Sequence, residues 1–411
     1  MGRDADFPKP VQRLLAERAG HHCSVPFCNK PTVGPGHKPN QSAKTGTACH
    51  IFAASPDGPR GTGGLTPSQR QKASNGIWCC ATHGRLIDTN KGGRYPAELL
   101  KQWKRLHEAR REREMVGFAT PLGWVDSLEI INSVLFRPSA RVTFSKATVV
   151  YGDGPVGKST ICEWLAGISL TSALARWKKH DHDLRLSYFA PDAEALMLSM
   201  RKREIQRSLN GKALLKGPAN LRVIYLTEDY TRKFDLDKAA DDLQWIANVL
   251  DSEPETIKSL CDDIRINGHE FCRHMEFLEE HVEPDKEDDE PGRDGWFLYV
   301  ATDRKPSEKL PFRSLATSEG IVVMVQFAAA LARIQALHTL TLLVLDAGAW
   351  NWCDELLDWF APYLAKQPYQ VILARASLPL KFGKKEWEGW GATELTRKKA
   401  KDNNTFTEVR Q

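Results

Sequence analysis

The chain has 411 residues, 41% of them hydrophobic and 27% charged, which are the proportions of a soluble globular protein. This length exceeds that of one ordinary core and predicts two or three domains. No apolar run approaches the ~20 residues that span a bilayer, and the first ten residues lack the apolar core of a signal peptide. We therefore expect a cytoplasmic protein with no membrane partner.

The net charge of +5 is distributed unevenly along the chain. Residues 1–115 contain 19 Lys and Arg against 9 Asp and Glu, whereas the remainder contains 38 against 43. A basic front end on a mildly acidic body predicts contact with a polyanion such as nucleic acid. A solvated basic surface would give the same count, so charge alone leaves both interpretations open.

Helices and loops rich in glycine and proline alternate at the front of the chain. A helix is predicted over residues 11–20, ending at Gly20, and an amphipathic helix over residues 96–114. Cysteines also concentrate there, at Cys23, Cys28, Cys49, Cys79 and Cys80, whereas Cys162, Cys261, Cys272 and Cys353 are scattered. Because cytosolic thiols stay reduced, the clustered cysteines predict a metal site and the scattered ones predict core packing.

Beyond residues 115–122 the chain changes to an alternation of strands and helices, so we divide it into domains at 1–118 and 119–411. Strands are predicted over residues 127–136, 140–145, 146–152, 184–190, 221–230, 341–346 and 369–376. Helices are predicted over 158–168, 242–266, 320–337 and 353–366, and the acidic run 283–295 is predicted to be a solvated loop. This order predicts an α/β fold for the second domain.

The stretch VVYGDGPVGKST has the spacing G-x-x-x-x-G-K-S at Gly152, Gly157, Lys158 and Ser159, after an apolar strand and before a helix. In that context backbone N–H groups surround a phosphate, the lysine reaches the β and γ oxygens and the serine ligates Mg²⁺. The full phosphate-binding set is Gly152, Gly154, Gly157, Lys158, Ser159 and Thr160. A second apolar strand, LLVLD, ends in Asp346 and predicts the other anchor of a Mg²⁺–ATP site.

The segment FRSLATSEGIVVMVQFAAALARI resembles the signature segment of ABC-type ATPase heads, in the family that includes SMC, RecF and many bacterial defence ATPases. The resemblance implies that Ser318 and Gly320 contact the γ-phosphate of an ATP held by a second head, and hence a homodimer or higher homo-oligomer. The alternative is an ordinary helix N-cap by Thr317 or Ser318. The absence of long heptads predicts a compact head without an extended arm.

This sequence departs from the ATPase pattern at two places. Ala347 stands where the family has a glutamate that orients the attacking water, and no switch histidine follows the strand at 369–376. Asp354 or Glu355 could substitute only if the segment after Ala347 folds back. ATP binding is therefore expected more strongly than rapid hydrolysis.

Three stretches, HHCSVPFC, ACHIFAASPDGPRG and NGIWCCATHGRLID, resemble the HNH-type nuclease domain at the front of many bacterial defence proteins, over residues 12–110. The resemblance implies a structural Zn²⁺ held by Cys23, Cys28, Cys80 and His83, with Cys79 directed into packing. It also implies His50 as general base, with Asn75 orienting that histidine or its loop, and a catalytic Mg²⁺ or Mn²⁺.

One departure bears on activity. Gly84 stands where the nuclease family has a metal-binding histidine, so Asp88, and less readily Asp57, is expected to supply a hard oxygen ligand. Assigning His83 to catalysis instead would make Cys79 a zinc ligand and leave Thr82 facing the zinc, which is chemically poor. Whether the domain is an active nuclease or a zinc-stabilised nucleic-acid-binding module without cleavage activity, we expect Arg60, Arg70 and Arg85 to contact phosphate.

Taken together, these features predict an α/β multidomain protein with a small zinc-stabilised ββα-metal (HNH) domain followed by an ABC-type P-loop ATPase head. The implied function is an ATP-regulated, metal-dependent DNA endonuclease in bacterial anti-phage defence, with RNA as an alternative substrate and a companion defence protein left open as a partner. The alternative is a nucleotide-gated DNA-binding or scaffold subunit with an inactive HNH fold and slow or absent ATP hydrolysis.

Overall fold

A computed structural model describes residues 5–25, 28, 30–115, 125–190, 192–227, 241–282, 293–302, 306–336, 339–347, 354–399 and 405–410. The chain forms two compact units, Met1–Gly123 with Phe189–Ala193, and Trp124–Tyr188 with Glu194–Gln411. The domain boundary placed at 118/119, the scattered Cys353 and most of the acidic run lie outside the described residues.

The first unit contains four helices and two strand pairs among its described residues. The helices are α1 Lys9–Arg18, α2 Pro67–Arg70, α3 Ala81–Leu86 and α4 Ala97–Met115, and the strands are β1 Val33–Pro35, β2 Ser42–Lys44, β3 Gly46–His50 and β4 Gly76–Cys80. Both pairs, β1–β2 and β3–β4, are antiparallel, and the second places His50 opposite Gly76. The helices predicted at 11–20 and 96–114 are confirmed as α1 and α4.

Among its described residues, the first unit has a small hydrophobic cluster of buried side chains. Its members are Cys23, Val25, Cys49, Ile51, Ile77, Cys79, Cys80, Ile87, Leu99, Leu100 and Trp103. Four of these side chains are thiols, and so compact a core supplies little free energy of folding by burial alone. A cross-link between its loops would therefore add stability that this cluster alone does not provide.

A six-stranded sheet forms the centre of the second unit, in the order β12-β16-β17-β7-β18-β19. The bounds are β7 Ala147–Tyr151, β12 Leu221–Thr227, β16 Leu340–Asp346, β17 Gln370–Arg375, β18 Trp390–Lys399 and β19 Thr405–Arg410. All neighbours are parallel except β18 and β19. The inner strands β7, β16 and β17 are nearly continuous apolar runs, as expected where both faces of a parallel sheet are covered.

Two further sheets complete the strands of this unit that the structure describes. One has the order β11-β10-β9-β8-β5-β6, with β5 Val125–Asn132, β6 Ala140–Thr143, β8 His182–Ala190, β9 Asp192–Arg201, β10 Glu204–Leu209 and β11 Lys212–Leu214. The other comprises β13 His274–Val282, β14 Arg293–Ala301 and β15 Leu310–Pro311. Every strand pair described in both is antiparallel.

The helices of the second unit include the predicted ones and one division that was not expected. Among the described residues they are α5 Lys158–Ala166, α6 Asp242–Val249, α7 Pro254–Asn267, α8 Thr317–Gln335 and α9 Asp354–Ala365. The single helical stretch expected over 242–266 is wrong, because Asp251 adopts a φ of 49° and Pro254 starts a new helix.

Helix α8 corrects the expectation that no apolar run approaches membrane-spanning length. It has 19 residues and is apolar enough to cross a bilayer by length and composition, but 67% of its most apolar window is buried inside the protein. Every residue from Ile321 to Ala332 is buried. The helix packs in the core beside β12 and β16, which accounts for its apolar composition.

Candidate functional site

Four soft ligands converge in the first unit. The Sγ atoms of Cys23, Cys28 and Cys80 and a ring nitrogen of His83 all lie within 4.8 Å of one another. Cys80 Sγ is 3.3 Å from His83 Nδ1, Cys23 Sγ is 3.8 Å from the same nitrogen, and Cys28 Sγ is 3.9 Å from Cys80 Sγ. The four residues named from the sequence are therefore brought together.

These separations fit a tetrahedral Zn²⁺. With Zn–S near 2.3 Å, two sulfurs on a tetrahedron are separated by about 3.8 Å, and a sulfur and a nitrogen by slightly less. A hydrogen bond with Cys79 lowers the pKa of Cys23 to about 5, and burial raises the pKa of Cys28 to about 12. Of these two thiols Cys23 therefore ionises more readily, whereas Cys28 would need the cation to release its proton.

Cys79 is fully buried and is not part of the four-ligand group. Its hydrogen bonds to Cys23 and Cys49, together with burial, raise its pKa well above the usual value. As expected, its side chain is buried in packing. It borders the ligand cluster through its hydrogen bond to Cys23 but is not one of the four ligands.

His50 lies at the end of β3 and lines an open cleft of about 600 Å³ in the same unit. The cleft is lined by Asp6, Lys44–His50, Ala53–Ser55, Gly58–Arg60, Ala81, Gly84, Arg85 and Asp88. One cavity is therefore bordered by three residues named from the sequence: His50, Gly84 and Asp88. Two antiparallel strands followed directly by α3 create this arrangement.

Asn75 does not contact the His50 ring through any described hydrogen bond. Its Oδ1 accepts from the backbone N–H of Phe52 at 2.9 Å, and its Nδ2 donates to the carbonyls of Phe52 and Arg70 at 2.9 and 3.1 Å. The side chain is buried and closes the loop that follows β3. Of the two alternatives named for it, the contacts favour orientation of the loop.

Arg60 is an internal cross-link and not a phosphate contact. Its guanidinium donates to the carbonyls of Ile51, Ile87 and His50 at 2.6, 2.6 and 3.0 Å, and to Asp88 Oδ1 at 2.6 Å. Only 6% of the Arg60 side chain is exposed, against 42% of Asp88. The expectation for Arg60 is wrong because its donors are committed to backbone oxygens.

Arg70 corrects the same expectation, since it is buried and donates to the carbonyls of Ala53 and Ala54. Arg85 differs, because it is exposed on α3 and borders the cleft. Lys44, exposed at the end of β2, borders the cleft from another side. Sequence reasoning missed Lys44, although its place beside the ACHIF stretch was a usable signal.

The packing of α3 accounts for Gly84. A Cβ at this position would lie 2.6 Å from Cγ2 of Thr47 and 3.0 Å from Sγ of Cys49. The helix thus approaches β3 more closely than any side chain at position 84 allows. A histidine there has no room in this arrangement.

Asp88 is not part of a preformed metal cluster with His50. Within the described ranges, the Cys/His group is the only set of three or more such ligand atoms close enough to hold an ion. A divalent ion in the cleft would have Asp6 or Asp88 as its carboxylate, in the manner of Mg²⁺ bound through one or two carboxylates, waters and substrate phosphate. Asp57 does not line the cleft.

The predicted phosphate loop joins β7 to α5 in the second unit. Lys158 Nζ donates to the carbonyls of Gly152 and Gly154 at 2.6 and 2.9 Å, and Thr160 is buried. Gly157 has a φ of 95°, and a Cβ there would lie 2.7 Å from Cζ of Phe136. This left-handed position allows the loop to turn directly into the helix N-terminus, where Ser159 lies.

Asp346 ends β16 at the same edge of the sheet as the phosphate loop. Its pairing partner in β17 is Ala374, which pairs with Val150, two residues before Gly152. The carboxylate is buried and accepts a hydrogen bond from Tyr225 Oη at 3.4 Å. Burial raises the pKa values of Tyr225 and of Cys162 in α5, and the negative charge of Asp346 raises both further. Register and charge therefore place the acid beside α5, as the Mg²⁺–ATP prediction requires.

The residue after this strand is buried Ala347, which has no side-chain group to orient water. Asp354 pairs with Arg375 at 2.7 Å and accepts from the backbone N–H of Leu380 at 3.2 Å. The hydrogen bond from Arg375 lowers the pKa of Asp354. Asp354 is thus committed to Arg375, while the segment 348–353 lies outside the described residues.

The N-cap alternative for the signature-like segment is wrong. Helix α8 begins at Thr317, and its N-cap residue is Ala316, whose backbone N–H donates to Glu319 Oε2 at 3.2 Å. Neither Thr317 nor Ser318 caps the helix. Ser318 and Gly320 are half-buried in its first turn, without close packing around Gly320.

No family model matches the sequence, and no curated protein matches it. Among solved structures the chain is similar to an SMC head bound to the C-winged helix domain of ScpA (TM-score 0.43, 12% identity, 70% of this chain and 98% of that chain). It is also similar to the SMC head domain from Thermotoga maritima, with a TM-score of 0.38 and 12% identity. A third similar structure is that of the recombination mediator protein RecF-ATPrS, with a TM-score of 0.41 and 10% identity. Both likenesses cover 70% of this chain and 98% of the other chain.

Proposed function

We propose that this protein binds Mg²⁺–ATP in its second unit and hydrolyses phosphodiester bonds of DNA in its first, as an ATP-regulated, metal-dependent endonuclease. The observation that carries the nuclease proposal is the cleft beside the β3–β4–α3 arrangement, which His50 lines together with the basic side chains of Lys44 and Arg85. Phosphodiester hydrolysis requires a base beside a site that attracts phosphate. Lys44 and Arg85 supply the positive charge.

Each residue in and around the cleft has a proposed role that follows from its position. His50 would take the proton from the attacking water, Lys44 and Arg85 would hold neighbouring phosphates, and Asn75 with Arg60 would fix the backbone around the base. A divalent Mg²⁺ or Mn²⁺, when bound, would supply charge stabilisation at the reacting phosphate, with Asp88 or Asp6 as its carboxylate. The Cys/His cluster would hold the structural Zn²⁺ that secures α3 and the Cys23–Cys28 loop.

The nucleotide site has separate support. Lys158, the turn at Gly157 and Asp346 lie at one edge of the parallel sheet, with a helix N-terminus following the loop. This is the arrangement in which a lysine and backbone N–H groups bind phosphates while an acid and Ser159 hold Mg²⁺. We propose slow hydrolysis, because Ala347 offers no base, and pairing of two heads through Ser318 and Gly320.

A second candidate function has observations of its own. The close packing at Gly84 and the Arg60–Asp88 ion pair both reduce the ligands left for a catalytic metal. They favour a nucleotide-gated DNA-binding or scaffold subunit without cleavage activity. The proposed place of either function is the bacterial cytoplasm, in defence against phage, with a companion defence protein as a further proposed partner.

The deciding experiment is cleavage of supercoiled plasmid in Mg²⁺ or Mn²⁺, with and without ATP, by wild-type, His50→Ala and Lys158→Ala proteins. Nicking that requires His50 and responds to ATP only when Lys158 is present supports the endonuclease. Nicking that persists in His50→Ala refutes the mechanism. Salt-dependent DNA binding without nicking in either metal, by a protein with full zinc content, establishes the second candidate.

A further inference from the structure

The segment that precedes α1 lies directly on His50. Nε2 of His50 is 2.9 Å from the backbone carbonyl oxygen of Ala5, and the ring of Phe7 stacks on the imidazole with a centroid separation of 3.7 Å and an interplanar angle of 5°. Ala5 is fully buried and Phe7 is 6% exposed. These residues are more than forty positions from His50 in the chain and were not anticipated from the sequence.

The segment is held in place by contacts of its own. Gln12 Nε2, on α1, donates to the carbonyl of Phe7 at 2.8 Å. Gly76, opposite His50 in the strand pair, leaves the space beside Phe7, since a Cβ there would lie 2.9 Å from Cζ of Phe7 and 2.5 Å from Cδ1 of Leu15. The stacked ring therefore fits between the helix and the β3–β4 pair.

The contact with Ala5 determines the protonation pattern of the ring. A carbonyl oxygen can only accept, so Nε2 must donate, and a neutral His50 then carries its lone pair on Nδ1. The stacked phenyl ring restricts rotation of the imidazole plane. One contact selects the tautomer and the other fixes the orientation, so the unprotonated nitrogen of the ring is held in one geometry, as a general base requires.

We propose that Ala5 and Phe7 are positioning residues for His50: the Ala5 carbonyl holds the proton on Nε2, and Phe7 holds the ring so that Nδ1 accepts the proton of the attacking water. The inference rests on the proposed nuclease function for its catalytic consequence. The tautomer itself is a property of the folded chain and can be measured whether or not the protein cuts.

The test uses the full-length protein labelled with ¹⁵N at histidine. Long-range ¹H–¹⁵N correlation spectra report the tautomer of His50, whose signals are assigned by their loss in His50→Gln. Two variants remove the contacts: Phe7→Ala, and a chain that begins at Pro8 after its initiator methionine. Phe7→Leu keeps an apolar side chain without the ring, and Leu14→Ala on α1, 44% exposed, is the control.

Wild type and Leu14→Ala are expected to show the Nε2–H tautomer, and the chain that begins at Pro8 a mixture of both tautomers. In plasmid cleavage, kcat is expected to fall about 10-fold in Phe7→Ala and Phe7→Leu, part of the roughly 100-fold or more that general-base catalysis contributes. The shortened chain also lacks Asp6, a proposed metal ligand, so a fall in its kcat does not count for the proposal and its readout is the tautomer. KM for DNA and zinc content should stay at wild-type values. Phe7→Leu keeps the test decisive if the shortened chain unfolds.

An Nδ1–H tautomer in wild type overturns the proposal, as does a shortened folded chain with unchanged tautomer. A mixed tautomer with unchanged kcat overturns the catalytic role. If wild type does not cut DNA, the endonuclease proposal fails separately, and loss of the Nε2–H tautomer on removal of Ala5 still supports the positioning contact.

Discussion

Gly84 in α3 and Thr47 in β3 approach so closely that a Cβ at position 84 would lie 2.6 Å from Cγ2 of the threonine. We expect Gly84→Ala to lower the free energy of unfolding of the first unit by about 1–3 kcal/mol, because overpacking forces the helix away from the strand. Gly84→His should cost at least as much and should not create a metal site. Urea unfolding measures both.

A second substitution tests whether the contact between positions 84 and 47 causes this loss of stability. Thr47→Ser removes Cγ2, so Gly84→Ala should cost less in a Thr47→Ser background than alone. Gly34→Ala is the control, since no atom lies within 4 Å of a Cβ there. Equal costs in both backgrounds would show that Thr47 is not the obstacle.

Zinc content follows from the four-ligand cluster. Wild-type protein is expected to carry a single Zn²⁺. Cys80→Ser and His83→Ala should lose the ion, and their first unit should no longer unfold cooperatively, because structural zinc contributes about 10–16 kcal/mol of binding free energy in small zinc domains. ATP binding should persist. Elemental analysis and calorimetry make the measurement, with half-buried Cys261→Ser as control. Wild-type zinc content in Cys80→Ser would contradict the assignment.

Lys158→Ala should weaken ATP binding about 10- to 100-fold, since a charge-assisted hydrogen bond contributes about 1.5–3 kcal/mol. Titration of a fluorescent ATP analogue in Mg²⁺ measures the dissociation constant. Lys212→Ala, exposed on β11, is the matched loss of one positive charge and should bind like wild type. Equal affinities in both variants would remove Lys158 from the site.

Substitution of Arg60 and of Arg85 should affect the salt dependence of DNA binding differently. Arg85→Ala is expected to reduce the slope of log K for DNA binding against log[salt] by about 1, because it removes one phosphate contact. Arg60→Ala should leave the slope unchanged but lower the unfolding free energy by at least about 2 kcal/mol, since several buried carbonyls lose a charged donor. A smaller slope in folded Arg60→Ala would reverse the assignment.

His182 predicts a pH dependence in the second unit. The ring is fully buried against Trp164 and Trp177, and among the described residues neither ring nitrogen has a hydrogen-bond partner. Burial, with repulsion from His180, lowers its pKa from 6.5 to about 4. Between these values the unfolded chain binds more protons than the folded one, so stability falls as pH falls below 6.5.

The loss should reach about 2 kcal/mol by pH 5, since each pKa unit corresponds to about 1.4 kcal/mol. His182→Phe should remove this part of the pH dependence, as measured by urea unfolding at pH 7 and pH 5. His180→Gln, an exposed position, should keep most of it. Identical pH dependence in wild type and His182→Phe would mean that the buried ring is not the cause.

The parallel core of the second unit was accessible from the sequence, whereas only some of its antiparallel strands were. Strands β5, β6 and β8 coincide with predicted strands, but β9–β11 and β13–β15 were not predicted. The inner strands are nearly continuous apolar runs with a glycine-rich loop after β7, and both signals are local. The turn between β9 and β10 consists of Lys202 and Arg203 at φ values of 51° and 70°, with no glycine, asparagine or proline to mark it. Strands such as β13, HMEFLEEHV, carry charge and lack an apolar run.

The sequence by itself predicted the candidate sites whose chemistry lies in short spacings: the two ligand pairs of the Cys/His cluster, and the proposed phosphate loop with its lysine. Only the tertiary structure decided that Arg60 turns inward, that α3 needs Gly84, and that Ala5 and Phe7 meet His50. The physical reason is that a backbone carbonyl or the space for a Cβ has no signature in residue type. Such contacts exist only once distant segments have packed.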